Sequence, residues 1–319
     1  MKANDRVVVY GSLGLRKGLS DLLWAFRKSS RLEEFPAYFD DHPFQVMERI
    51  RQERRHKMRT ADVVIMPHYA VATMGAEGVL AGYLPAETNN APPNMQATND
   101  GAVPIGVTFM AMAYNTRALG GAELPKKLSD LTRSTWKGQL GTQSLTASRA
   151  GNLGVWYMSF LKRESAEEDW KAFIDSLGGI NAPIAYDCID HLLQGLLDGD
   201  ISLALTVYSL AYFREKSAGS PITLVDSRSI PHMMTFTSAA LLEESSDSLP
   251  ARRFLDFLLT PAAQKIIGNI PGLAPVLTGV EPGYNFEHRW TEKTKFHPTI
   301  DDFREVAHSV DHFQKLKLP

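Results

Sequence analysis

Short apolar runs that read as buried strands alternate along this chain with amphipathic helical patterns, and that alternation confines it to an α/β fold in which strands and helices are layered together. "RVVVYG" leads into a helix from about Leu19 to Lys28, with Leu19, Leu22, Leu23 and Phe26 at i, i+3, i+4 and i+7. "PFQVMERIRQERRHKMRTADVVIMP" repeats the scheme: Val46 and Ile50 mark a helix face, a basic surface stretch follows, and "DVVIM" is a short buried strand ended by Pro67. The polar, proline-bearing segment from Pro85 to Asp100 is loop by composition and precedes "VPIGVTFMAMAYNT", a strand pair or one long crossing strand. "LSDLTRSTWKGQLG" reads as a short helix with a turn before a strand. "ISLALTVY" and "ITLVDSRS" read as strands, "CIDHLLQGLLDG" and "SLAYFREKSAG" as helices, and "SIPHMMTFTSAAL" as a second crossing. "PARRFLDFLLTPAAQKIIG" and "TIDDFREVAHSVDHFQKL" are helical and amphipathic.

With 319 residues, 44% of them hydrophobic, the chain can bury enough surface for two domains. Its 34 basic residues against 36 acidic ones give no field that would attract nucleic acid or an anionic membrane. No apolar run has the length of a membrane span, so no membrane insertion is expected, and residues 1–6 lack the apolar region of a signal peptide. The expected location is therefore cytoplasmic if Met1 is the native start, and periplasmic or otherwise extracytoplasmic if an export signal has been removed. Cys188 is the only cysteine, which excludes an intrachain disulfide framework and a cysteine-rich zinc site. No cofactor is expected, and a monomer is the expected state.

Several residues could carry chemistry. Gly11 and Ser12 sit between the first strand and the first helix, where unpaired N–H groups and the helix dipole favour an anion; the alternative is a simple turn or cap. "TQSLTASRAGN" gathers Ser144, Thr146, Ser148 and Arg149 just before a helix, a set of hydroxyl and guanidinium donors suited to phosphate, phosphonate or carboxylate, or else a solvated loop. His68 and Tyr69 follow a strand end, where side chains of open α/β sheets reach ligands. Tyr208 ends another strand, with Ser209 next to it and Tyr212 one helical turn on, Tyr212 reading more readily as helix packing. The histidines His288, His297, His308 and His312 include a pair at i, i+4 with metal-compatible spacing but no third ligand.

The order of five segments resembles the class II extracytoplasmic solute-binding proteins of ABC transporters, in particular the branch that takes ferric iron, thiamine and phosphonates. The segments are "VVVYGS" followed by a helix, "ADVVIMPHYAVATMGAEGVLAGY", "AYNTRAL" followed by "LSDLTRSTWKGQLG", "DGDISLALTVYSLAYF", and "ARRFLDFLLTPAAQKIIG". The resemblance implies a two-lobed periplasmic-binding-protein-like fold with mixed sheets flanked by helices and a ligand cleft between the lobes. Residues 1–104 with 231–319 would form the first lobe and 105–230 the second. It implies a binding protein, not an enzyme, that closes about a hinge on a small anionic ligand such as an organic acid, a phosphonate or a phosphate ester, for delivery to ABC-transporter membrane subunits. Gly11, Ser12, His68, Tyr69, Ser144, Thr146, Ser148, Arg149, Tyr208 and Ser209 would be the contacts.

Ferric iron is the alternative ligand, held by His68, Tyr69, Tyr208 and Tyr212, because phenolate oxygens are hard donors. Relatives that bind iron show two adjacent tyrosines where this chain has Tyr208-Ser209, and a first-loop histidine where it has Leu13-Gly14. Two further alternatives are a transferase on the same fold using Cys188, placed at a helix start where the dipole favours a thiolate, and a cytosolic ligand sensor. The chain has no glycine-rich nucleotide loop, no G-x-S-x-G elbow and no helix-turn-helix segment ahead of Val7 to support either.

Overall fold

A computed structural model describes residues 6–12, 16–92, 101–119, 123–143 and 153–284. The first described elements are β1 (Val8–Gly11), α1 (Arg16–Ser30), β2 (Ala37–Asp40), α2 (Pro43–Arg55), β3 (Val63–Pro67) and α3 (His68–Ala76). The middle of the chain supplies β4 (Val103–Asn115), β5 (Leu140–Gln143), α4 (Leu153–Glu164), α5 (Glu167–Leu177), β6 (Ile184–Tyr186), α6 (Ile189–Asp198), β7 (Leu203–Tyr208), α7 (Ser209–Ser217) and β8 (Ile222–Leu224). Then come β9 (Met233–Leu241), α8 (Leu249–Leu258), α9 (Pro261–Gly268) and the two-residue β10 (Ala274–Pro275). The chain forms two compact units. One takes the chain up to Thr108 and again from Thr235; the other includes Phe109–Met234. Two strands, β4 and β9, run across those boundaries.

In the first unit the strand order is β2-β1-β3-β9, the first three parallel and β9 antiparallel to β3. Successive residues of a strand face opposite sides. Tyr10, Val64 and Met66 accordingly join Val46, Met47 and Ile50 of α2 and Ala70, Val71 and Met74 of α3 in one cluster. On α1, the helical spacing of Leu19, Leu22, Leu23 and Phe26 gives one fully buried stripe. There Phe26 meets Phe254 and Phe257 of α8 at 4.9 and 5.5 Å between ring centres. The basic stretch after Val46 is a surface face on which Arg49 pairs with Glu53 at 2.8 Å, Arg54 with Glu244 at 3.0 Å, and Arg51 with Glu48 and Glu77.

The second unit has the order β4-β7-β5-β6, with β8 also on β4. β7 is antiparallel to β4, with a register shift between Ala111 and Ala113, and parallel to β5. Trp136, Tyr157, Phe173, Leu192, Leu196 and Val207 fill its core.

The structure changes one reading and adds two details. "LSDLTRST" forms two tight 3-10 turns, Leu128–Thr132 and Ser134–Trp136, not one α-helix. The Asp130 carboxylate accepts the backbone N–H groups of Lys126 and Lys127 at 2.8 and 3.2 Å, a local alternative to helix propagation. "PARRFLDFLLTPAAQKIIG" is two helices, because Pro261 cannot continue the first and Thr260 caps the second through Ala263 N–H at 3.3 Å. Strands β2 and β6 went unread, being only four and three residues long with no residue fully buried.

Candidate functional site

Each unit carries its own share of the candidate residues. In the first, the parallel strands β1, β2 and β3 bring their carboxyl ends to one edge, the side on which open α/β sheets hold ligands. Gly11 and Ser12 end β1, and Ser12 N–H donates to the Ile65 carbonyl at 3.2 Å, which ties the turn to β3. The Ser12 hydroxyl oxygen is buried and has no hydrogen-bond partner among the described residues. His68 and Tyr69 open α3 directly after β3. His68 is 5% exposed; its Nδ1 lies 2.8 Å from Ser238 Oγ on β9, and its ring stands edge-on to Phe236 at 5.7 Å. That hydrogen bond fixes which way the imidazole turns. Tyr69 is half-buried against the α2–α3 cluster, and its carbonyl accepts the Thr73 hydroxyl at 2.8 Å.

The same edge holds residues that sequence reasoning missed. Asp40 pairs in register with Gly11, and Tyr38 lies two residues earlier on the same face of β2. The Tyr38 hydroxyl donates to Asp40 Oδ1 at 2.8 Å, and it lies over Gly11 so closely that a β-carbon there would come within 2.6 Å of it. Asp41 N–H donates to the Gly11 carbonyl at 3.1 Å. A carboxylate and a phenol thus lie beside Gly11, while the Asp41 carboxylate accepts the His42 N–H at 2.7 Å. The signal for them was β2 itself, the unread "AYFD".

In the second unit, Tyr208 ends β7 opposite Met110 of β4 and is the N-cap residue of α7. Ser209 is fully buried, and its Oγ accepts the Phe109 N–H at 3.3 Å. The Tyr212 ring is buried beside Phe213 and Phe109 at 5.2 and 6.5 Å. Of these three, Tyr208 alone is more than marginally exposed. Cys188 is the half-buried N-cap residue of α6; its side chain makes no capping bond, while its carbonyl accepts Leu192 N–H at 3.1 Å. Ser144, Thr146, Ser148 and Arg149, like the four C-terminal histidines, lie outside the described residues. Among the described residues no three His, Cys, Asp or Glu side chains converge as a metal site, so a metal would have to draw on tyrosine and hydroxyl oxygens as well.

Residues 59–305 match the sequence profile of the bacterial extracellular solute-binding protein family. The chain belongs to that family. The major ferric iron-binding proteins of Neisseria meningitidis serogroups A and B are 25% identical to it over 232 residues, which is 68% of this chain and 66% of theirs. The match therefore spans just under two thirds of the length of these curated relatives. Iron-bound HitA from Pseudomonas aeruginosa shares the fold with a TM-score of 0.77 at 19% identity, over 98% of this chain and 99% of that one. AfuA from Actinobacillus pleuropneumoniae, with fructose-6-phosphate bound, does so with a TM-score of 0.73 at 16% identity, over 98% and 97%. AfuA is a periplasmic binding protein, and the solute-binding chain has the α/β fold of both neighbours. Its family is one of binding proteins, not of enzymes.

Proposed function

We propose that this solute-binding protein works outside the cytoplasm as the receptor of an ABC importer, and that its solute is ferric iron taken up together with a small chelating anion. The observation that carries the metal is the character of the β1–β2 edge, where the Asp40 carboxylate and the Tyr38 phenol lie beside Gly11. A carboxylate beside a ligand attracts a trivalent cation and repels a free anion, and oxygen donors match a hard metal. The ferric iron-binding proteins of Neisseria meningitidis support the same ligand. Tyr208 is the phenol that the second unit offers, and the loop of Ser144, Thr146, Ser148 and Arg149 is the proposed holder of the anion. Capture by hinge closure belongs to the same proposal: the ligand shifts an open–closed equilibrium by its differential contacts, and no bond is made or broken in the solute.

The second reading is a small organic anion without metal. Ser209 and Tyr212 favour it, since the hydroxyl of one is engaged by Phe109 N–H and the ring of the other is buried among aromatics. Titration of iron-free protein with ferric citrate separates the two. Expected is a saturable thermal stabilisation of about 2.7 kcal/mol at a hundredfold excess over Kd, with a visible phenolate-to-iron band that Tyr208→Phe removes. Stabilisation by phosphonates or carboxylates alone, with no response to ferric citrate, replaces the metal reading by the anion reading.

A further inference from the structure

Ser238 stands in register with Met66 of β3 and is fully buried on β9. Among the described residues its hydroxyl has a single hydrogen bond, the 2.8 Å contact with His68 Nδ1. Phe236, two residues earlier on the same face of β9, meets the imidazole edge-on at 5.7 Å and 72°. One strand therefore fixes the ring at two points, and the histidine is itself buried.

That pairing decides where the ring proton sits. A hydroxyl has one hydrogen to give and two lone pairs, while a neutral imidazole has one N–H and one lone pair. With the proton on Nδ1, Ser238 could only accept, and its own O–H would be left in the core without an acceptor, a cost comparable to a lost hydrogen bond. Donation from the Ser238 O–H to Nδ1 leaves no hydrogen orphaned, and it places the ring proton on Nε2. A histidine that ligates a metal has the opposite arrangement: the metal takes one nitrogen's lone pair, and the other nitrogen gives its N–H to an acceptor.

We propose that His68 meets the solute as a hydrogen-bond donor, through Nε2–H to an oxygen of the small chelating anion, and not as a ligand of the metal, with Ser238 as the positioning residue that sets this tautomer; the inference rests on the reading of the solute given above. His68 opens α3 at the carboxyl end of β3, the edge that also carries Gly11 and Ser12. Ser12 N–H is tied to the Ile65 carbonyl of β3 at 3.2 Å, and the Ser12 hydroxyl, buried and without a partner among the described residues, is a second donor there. A neutral N–H selects an oxygen acceptor, carboxylate or phosphate, without adding charge to the edge. It also leaves the metal to oxygen donors alone, the set that a hard cation prefers.

The test reads the tautomer by nitrogen NMR of protein isotopically labelled in its histidine rings, first metal-free and then saturated with gallium citrate, a diamagnetic stand-in for ferric citrate. His68→Gln identifies the signal, and thermal stabilisation by ferric citrate reports loading. Expected is a directly bonded proton on Nε2 in both states, with the Nε2 signal shifted on loading. Ser238→Ala should mix the two tautomers and weaken ferric citrate binding about tenfold, and Ser238→Thr, which keeps the hydroxyl, should restore both. The tautomer is read in the unsubstituted protein, so a variant that folds poorly does not mimic the result. A proton on Nδ1 in either state, or an Nε2 signal that saturation leaves unmoved, overturns the inference while the ferric reading stands. If only a phosphonate or a carboxylate stabilises the protein, the metal reading falls, and the same Nε2 signal decides: a shift with that anion upholds the donor role, and indifference overturns it. Stabilisation by none of these ends both.

Discussion

Gly11 carries no side chain because the Tyr38 phenol stands where one would go. A methyl group there meets the Tyr38 oxygen at 2.6 Å and Cε2 at 2.9 Å, so the ring must swing away and give up its hydrogen bond to Asp40. Gly11→Ala should destabilise the protein by about 1–3 kcal/mol, and most of that cost should vanish on a Tyr38→Ala background, as a denaturant double-mutant cycle would measure. A second residue-level prediction concerns Tyr83, whose pKa is raised from 10.0 to about 12, first by burial and then by its 2.8 Å hydrogen bond to Asp256. A folded pKa above the unfolded one means the neutral phenol's contribution is complete below pH 10 and is lost as pH rises toward 12. Subtracting the phenolate titration of Tyr83→Phe from that of the wild type should leave one late step near pH 12; a difference step near 10 would show that Tyr83 is solvated. At this scale the sequence was partly readable. It pointed to Gly11, Ser12, His68 and Tyr69 at the ends of β1 and β3, because strand ends can be counted from apolar runs. It did not show that Ser238 fixes the His68 ring, since a contact to β9 leaves no local pattern.

Among the elements, α9 is held by one buried amide. Gln264 Nε2 donates to the carbonyls of Ile105 on β4 and Leu258 on α8, both at 2.9 Å, and its Oε1 accepts Val276 N–H at 2.8 Å. Gln264→Leu keeps the volume but strands two carbonyls and one N–H, so a loss of about 3–5 kcal/mol in urea unfolding is expected; a loss under about 1 kcal/mol would mean that water reaches all three. Helices α1 and α6 were legible because burial of one face writes itself into spacing, and β7 because burial on both faces gives a continuous apolar run. β2 was not, because four half-buried residues at a sheet edge carry neither alternation nor a continuous apolar run. Missing it hid Tyr38 and Asp40, and with them the electrostatic character of the edge.

For the molecule as a whole, the sequence spoke through the order of its segments more than through any one of them, and the family match over residues 59–305 takes in four of the five. Ligand identity was less legible, because a hydroxyl-rich loop reads locally as anion-binding whereas the placement of Asp40 beside Gly11 comes from strand pairing. One consequence follows from the chain entering its first unit twice. Phe26 packs on Phe254 and Phe257, so the core beneath α1 cannot close until the ribosome has made α8, while Phe109–Met234 is by then complete and contiguous. The growing chain therefore carries an unclosed amino-terminal segment through most of its synthesis, and α8, which emerges late, is the helix that locks α1.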